Sequence, residues 1–175
     1  MFHWRRVTQA LIDSAATGHL ETINLLLAAK ADLHAGEDEA LRVSAMNGHD
    51  RIVKVLLAAK ADIHAGHDDA FRHSAMNGHF LTVKALLDAK ADVRTDGGRI
   101  FWRSAANGHS KIVKLLLDAK AELRTCHNFV VRLCATIGQH ETVKVLLEAK
   151  ADLHAEDGDA LASSAGNGHL ETVKV

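Results

Sequence analysis

Thirteen histidines in 175 residues are the first feature of this chain that could do chemistry. Imidazole serves as metal ligand, general base and pH-sensitive charge. A zinc or catalytic-metal site needs ligands at set spacings such as His-Glu-x-x-His or Cys-x-x-Cys, and neither framing is present. His19, His49, His79, His109 and His169 instead share one slot of a 30-residue period, and His34, His64 and His154 share another. Equivalent slots on packed neighbouring units lie about 10 Å apart, too far to share one ion. Both rows are therefore expected to be framework, the imidazole at the turn bridging backbone groups of adjacent units. His67, His73, His127 and His140 fall outside the rows, and only His67 with His73 leaves a weak metal site open as an alternative.

The other chemistry-bearing residues are as quiet. Cys126 and Cys134 are too far apart for a redox or zinc pair and suggest a reducing compartment. No phosphate-cradling Gly-x-x-x-x-Gly-Lys, no Gly-x-Ser-x-Gly elbow and no Gly-x-Gly-x-x-Gly occurs. Asp96-Gly97-Gly98-Arg99 is expected only to make a turn. No catalytic residue, metal or cofactor is assigned, and an enzyme is not expected. A formal net charge of -1 gives no overall pull towards nucleic acid or acidic membranes. No apolar run approaches the ~20 residues that span a bilayer. Met1-Phe2-His3-Trp4-Arg5-Arg6 leads into polar helical sequence rather than an apolar signal core. Cytoplasmic residence is expected.

The elements that position these residues are written repeatedly. Asn47-Gly48-His49, then Ile52-Val53-Lys54-Val55-Leu56-Leu57, then Ala59-Lys60-Ala61-Asp62 recurs with a step of 30 residues, the mark of a solenoid whose units stack on their neighbours. In the second copy, Leu41, Ser44 and Ala45 share one face of a short helix, and Gly48 supplies a left-handed close. A second helix from about Asp50 to Ala59 carries the stripe Ile52, Val53, Leu56, Leu57, with Arg51, Lys54 and Ala58 facing elsewhere. Helices this short are marginal alone, so stacking must stabilise them. Lys54, Lys84, Lys114, Lys144 and Lys174 form an outer, solvated row. Lys30, Lys60, Lys90, Lys120 and Lys150 close the second helix, where a cation complements the helix dipole, and Asp or Glu two residues on offsets them.

The Ala-Leu of the first helix, the Gly-His turn, Val-x-x-Leu-Leu in the second helix and Ala-Asp-x-His-Ala after it resemble the ankyrin repeat, from about residue 10 to residue 175. The resemblance implies an all-α, ankyrin-like helix-turn-helix solenoid. Three departures stand out. Ala-Leu-Arg, Ala-Phe-Arg or Ile-Phe-Trp replaces the Thr-Pro-Leu-His opening, and Lys replaces the glycine before Ala-Asp. The period is 30 residues against about 33 in the family. The missing residues fall between Ala35 and Leu41, so the β-hairpin finger is expected to be shortened or reduced to a turn. Thirty-residue arrays with Ala-Leu-Arg and Asn-Gly-His resemble those of giant DNA viruses and host-associated bacteria, which would make the compartment a host cytoplasm.

In register, residues 1–175 read as one array. Residues 1–9 form an amino-terminal cap, with Phe2 and Trp4 covering the first unit. Units begin near residues 10, 40, 70, 100, 130 and 160, the last incomplete at Val175. Either the array continues beyond this point, the preferred reading, or a partner or second copy covers its open end.

Function is sought where the copies differ. Two first-helix slots read Val43, His73, Arg103, Leu133, Ser163 and Met46, Met76, Ala106, Thr136, Gly166. The resemblance implies that first helices and inter-unit loops line a concave, partner-binding face. Around residues 99 to 133 acid gives way to Arg99, Phe101, Trp102, Arg103, Phe129, Val130, Val131, Arg132 and Leu133, and of these Trp, Phe and Arg are types enriched at interface hot spots. The candidate contact residues are Val43, Met46, His73, Met76, Arg99, Trp102, Arg103, Phe129, Arg132 and Leu133. Two readings of Trp102 stay open: partner contact, or an internal stack in which it lies between two guanidinium groups, since Arg42, Arg72 and Arg132 share its slot. The expected function is a non-catalytic module that binds another protein, and the alternative is a structural spacer or self-associating array.

Overall fold

The computed structural model describes residues 2–119, 127–151 and 159–174, without the side chains of residues 2–4, 95, 97, 127, 128 and 159. Among the described residues there are twelve α-helices and no strand: α1 Phe2–Thr17, α2 Leu20–Ala28, α3 Ala35–Met46, α4 Asp50–Ala58, α5 Ala65–Met76, α6 Phe80–Asp88, α7 Arg99–Ala106, α8 Ser110–Asp118, α9 His127–Thr136, α10 His140–Glu148, α11 Asp159–Gly166 and α12 Leu170–Lys174. They fall into two compact units, Met1–Asp92 and Val93–Val175. Within each unit consecutive helices pack in pairs, and the pairs stack first helix on first helix and second on second. In the first unit α1, α3 and α5 make one layer and α2, α4 and α6 the other. In the second, α7, α9 and α11 stand against α8, α10 and α12.

Spacing explains which faces are buried. On α3, Ala40, Leu41, Ser44 and Ala45 are buried, and on α4, Ile52, Val53 and Leu56 are buried while Arg51, Lys54 and Ala58 are exposed. Each large aliphatic removed from water contributes about 1.5–3 kcal/mol, which two short helices realise only against a neighbouring pair. Gly48 has φ 76. Its N–H donates to Ala45 O at 3.2 Å and that of His49 to Ser44 O at 2.9 Å, the paired bonds of a left-handed helix close.

The turn also makes the seam. Asn47 Nδ2 and His49 Nε2 both donate to the carbonyl of Ala16, at 2.9 and 3.0 Å. One repeat on, Asn77 and His79 do the same to Met46 O at 3.0 and 2.8 Å. In the second unit, Asn167 and His169 donate to Thr136 O at 3.1 and 2.9 Å. Gln139 stands in for histidine and reaches Ala106 O at 3.3 Å. The expected bridge between adjacent units is thus present, and it holds each imidazole as the Nε2–H form.

Where a protruding finger was expected to shorten, the chain makes a left-handed turn. Gly36, Glu37 and Asp38 have φ 62, 58 and 54, and Gly66, His67 and Asp68 have φ 60, 59 and 61. This conformation costs a non-glycine residue roughly 1–2 kcal/mol. The Asp38 carboxylate offsets it: though only 4% exposed, it lies 3.1 Å from His34 Nδ1 and accepts the Asp62 N–H at 2.9 Å. The next turn carries a matching pair, His64 Nδ1 2.6 Å from Asp68. Asp96-Gly97-Gly98-Arg99 does make a turn, a 3-10 turn over Thr95–Gly98 with Gly98 at φ 85.

Lys30, Lys60, Lys90 and Lys150 close their helices at φ 57, 76, 73 and 64, in the conformation glycine would adopt without strain. Residues 2–9, expected as a cap, form the opening turns of α1 itself. The side chains of Phe2 and Trp4, to which the covering role was given, lie outside the described residues, as do Lys120, Glu122, Cys126 and the loop Glu156-Asp157-Gly158.

Candidate protein-binding face

Burial of Ala40, Leu41, Ser44 and Ala45 leaves Arg42, Val43 and Met46 on the other side of α3, half-buried or exposed. The same slots of α5 place Arg72, His73 and Met76 there. Because α3 and α5 pack side by side, Val43, Met46, His73 and Met76 come together on one face of the first unit, with Met46 40% exposed. Methionine is an adaptable apolar contact residue.

An ion-pair cluster borders them. Asp69 receives the Arg72 guanidinium from its own helix, three residues on, and the Arg42 Nε from the preceding repeat at 3.5 Å. His73 Nδ1 donates to the Asp69 carbonyl at 3.1 Å, and Arg42 also donates to Gly36 O at 3.0 Å. Asp69 was absent from the ten candidates. Its signal was legible, since an acid three and four residues before Arg72 and His73 is a helical pairing distance. That Arg42 reaches it from the preceding repeat was not.

In the second unit α7 carries Arg99, Trp102 and Arg103, and α9, packed beside it, carries Phe129, Arg132 and Leu133. Phe129 is 50% exposed, Arg99 is exposed, and the other four are half-buried. The Arg103 guanidinium carbon sits 5.3 Å from the Trp102 ring centroid, within cation–π range. This cation is the tryptophan's neighbour in sequence. Arg99 lies 4.0 Å from Asp96. Arg103 Nε is buried without a hydrogen-bond partner.

Cys134 is fully buried, and burial pushes its thiol up to about 12, which keeps it protonated at neutral pH. Among the described residues no group of three or more His, Cys, Asp or Glu could hold a metal ion. Two surface depressions, of about 240 and 250 Å³, run along the turns and second helices, lined by His49, Asp50 and Arg51 in one and Lys114, Val145 and Glu148 in the other. Neither touches the ten candidates.

The chain was then compared with known proteins. A family model described as ankyrin repeats (3 copies) matches residues 41–126 and 101–175. Among solved structures, the crystal structure of the human ASB11 ankyrin repeat domain is similar, with a TM-score of 0.77 over 94% of this chain and 80% of that one. At 18% identity this similarity shows the fold alone. No curated protein matches in sequence.

Proposed function

This chain belongs to the ankyrin repeat family, and on that footing we propose that it is a non-catalytic module binding another protein through its first helices and inter-unit loops. Repeats of this family are in general protein–protein interaction modules. The observation that carries the finer reading is the pairing of Trp102 and Arg103 beside a half-exposed Phe129 on neighbouring first helices. Large aromatic and arginine side chains in that setting are the usual anchors of an interface. We assign Val43, Met46, His73 and Met76 to this face in the first unit, and Arg99, Trp102, Arg103, Phe129, Arg132 and Leu133 to it in the second. The reading includes no nucleic acid, membrane or cofactor. It places the protein in the cytoplasm, its own or a host's; no helix among the described residues is long and apolar enough to cross a membrane.

The test is affinity capture comparing the wild type with a Trp102/Arg103/Phe129 triple alanine variant. Loss of specific partners with the helical signal and cooperative melting intact supports the face. Identical partners from both proteins would remove it.

A second reading, a spacer or self-associating array, draws on the last unit. Leu161 and Val173 are 47% and 37% exposed, whereas Leu41 and Val53 in their slots are fully buried. A Cβ on Gly168 would meet nothing within 4 Å, while one on Gly138 would meet His169. This face has the shape that elsewhere receives another repeat. A mass in solution that rises with concentration, and stops rising in a Leu161→Glu variant, would favour this reading.

A further inference from the structure

The two units treat the cations of their first helices differently. In the first unit the residue just before the helix core is Asp69, and its carboxylate gathers Arg42, Arg72 and the backbone-anchored His73. In the second unit the same slot holds Arg99, then Phe129, then Asp159. On α7 and α9 the internal acid has been replaced by a cation and an exposed aromatic. Arg103, in the slot of His73, is half-buried and rests on the Trp102 ring; its Nε, like those of Arg42 and Arg72, is buried without a hydrogen bond. Among the described residues no carboxylate is placed on it. Leu133 occupies the same slot one repeat along, on the adjacent α9.

A guanidinium taken partly out of water without a counter-charge gains most from an acceptor that arrives with the partner, because the loss of hydration has already occurred. Contact with the Trp102 ring restrains that guanidinium, and its planar fork is suited to a carboxylate accepting two parallel N–H bonds. Phe129 and Leu133 supply apolar surface on the neighbouring helix α9. We infer that the second unit recognises an acidic segment of another protein, one whose Asp or Glu, next to an aromatic or aliphatic residue, takes on Arg103 the place that Asp69 holds in the first unit. This rests on the first-helix face being the binding face, and it names the chemistry of the partner.

The experiment is selection from a random linear peptide library displayed on phage, against the full chain, with the Trp102/Arg103/Phe129 triple alanine variant as counter-target. Synthetic copies of the recovered peptides are then titrated by fluorescence anisotropy. The expected result is peptides carrying Asp or Glu beside an apolar residue. Glu→Gln in the peptide and Arg103→Leu in the protein would each weaken binding at least tenfold, the two losses would not add, and Arg103→Lys would restore part. Thermal melting of each variant separates lost contact from lost fold. Neutral or basic peptides that need Phe129 but ignore Arg103→Leu would overturn the acidic partner and leave the face standing. If no recovered peptide depends on any of the three residues, both readings fall.

Discussion

The imidazole of His79 lies against the backbone of Gly48, one repeat earlier, so closely that a Cβ on Gly48 would stand 2.5 Å from its Nδ1. The same ring donates from Nε2 to Met46 O at 2.8 Å. The Gly-His motif is therefore two halves of one joint, the glycine of each copy receiving the histidine of the next. Gly18 with His49 and Gly138 with His169 repeat it.

Gly48→Ala should be costly for two reasons, the left-handed φ of 76 and the collision with the ring. The first contributes roughly 1–2 kcal/mol, and the second adds to it. Urea unfolding of Gly48→Ala, His79→Ala and the double variant forms a cycle. The double variant should lose less than the sum of the two single losses. Simple additivity would mean that ring and glycine do not share a joint.

Thr82 and Thr142 are 1% exposed, and each Oγ1 is buried without a hydrogen-bond partner. Isoleucine fills the same slot at Ile52 and Ile112. Thr82→Val keeps the shape and removes a hydroxyl that gains nothing from burial, so stability should rise by about 1 kcal/mol. A lower melting temperature for Thr82→Val in a thermal scan would contradict this.

Lys60 is exposed at φ 76, its N–H donating to Leu57 O at 3.0 Å and that of Ala61 to Leu56 O at 3.0 Å. Lys60→Gly relieves about 1–2 kcal/mol of strain. It gives back part through a more flexible unfolded chain and a lost cation at the helix end. A net gain of about 0.5 kcal/mol is expected by denaturant titration, and Lys60→Val, β-branched at positive φ, should be less stable than wild type.

The Cys134 thiol should not react with a disulfide reagent in the native state at pH 8 and should react once the chain is unfolded. Burial raises its thiol from 9.0, the ordinary value, to about 12 in the fold. Stability from this group is therefore complete below about pH 9 and declines between about 9 and 12, by up to ~1.4 kcal/mol per pH unit. Serine fills the same slot at Ser44 and Ser74, bonding the carbonyl three residues back at 2.9 and 3.0 Å. Cys134→Ser should consequently melt normally and show a flatter alkaline profile.

The helix pairs, their buried stripes, the glycine at each turn and the lysine at each helix end were legible in the residues, because each follows from backbone sterics and hydrophobic period within a few residues of chain. The bridging role of the turn histidine was legible too, since the period alone places each copy beside the next. The loss of the hairpin could be counted from three missing residues per repeat. Its replacement by three successive left-handed residues could not, because that choice depends on Asp38 finding His34 and the Asp62 N–H around it.

The functional face divides along the same line. That Arg99, Trp102, Arg103 and Phe129 interrupt a repeating pattern is a property of the sequence alone. That Arg42 turns to Asp69 while Arg103 lies on Trp102 was decided by tertiary packing, since only the stacked helices fix which side chains stand close enough to choose one another.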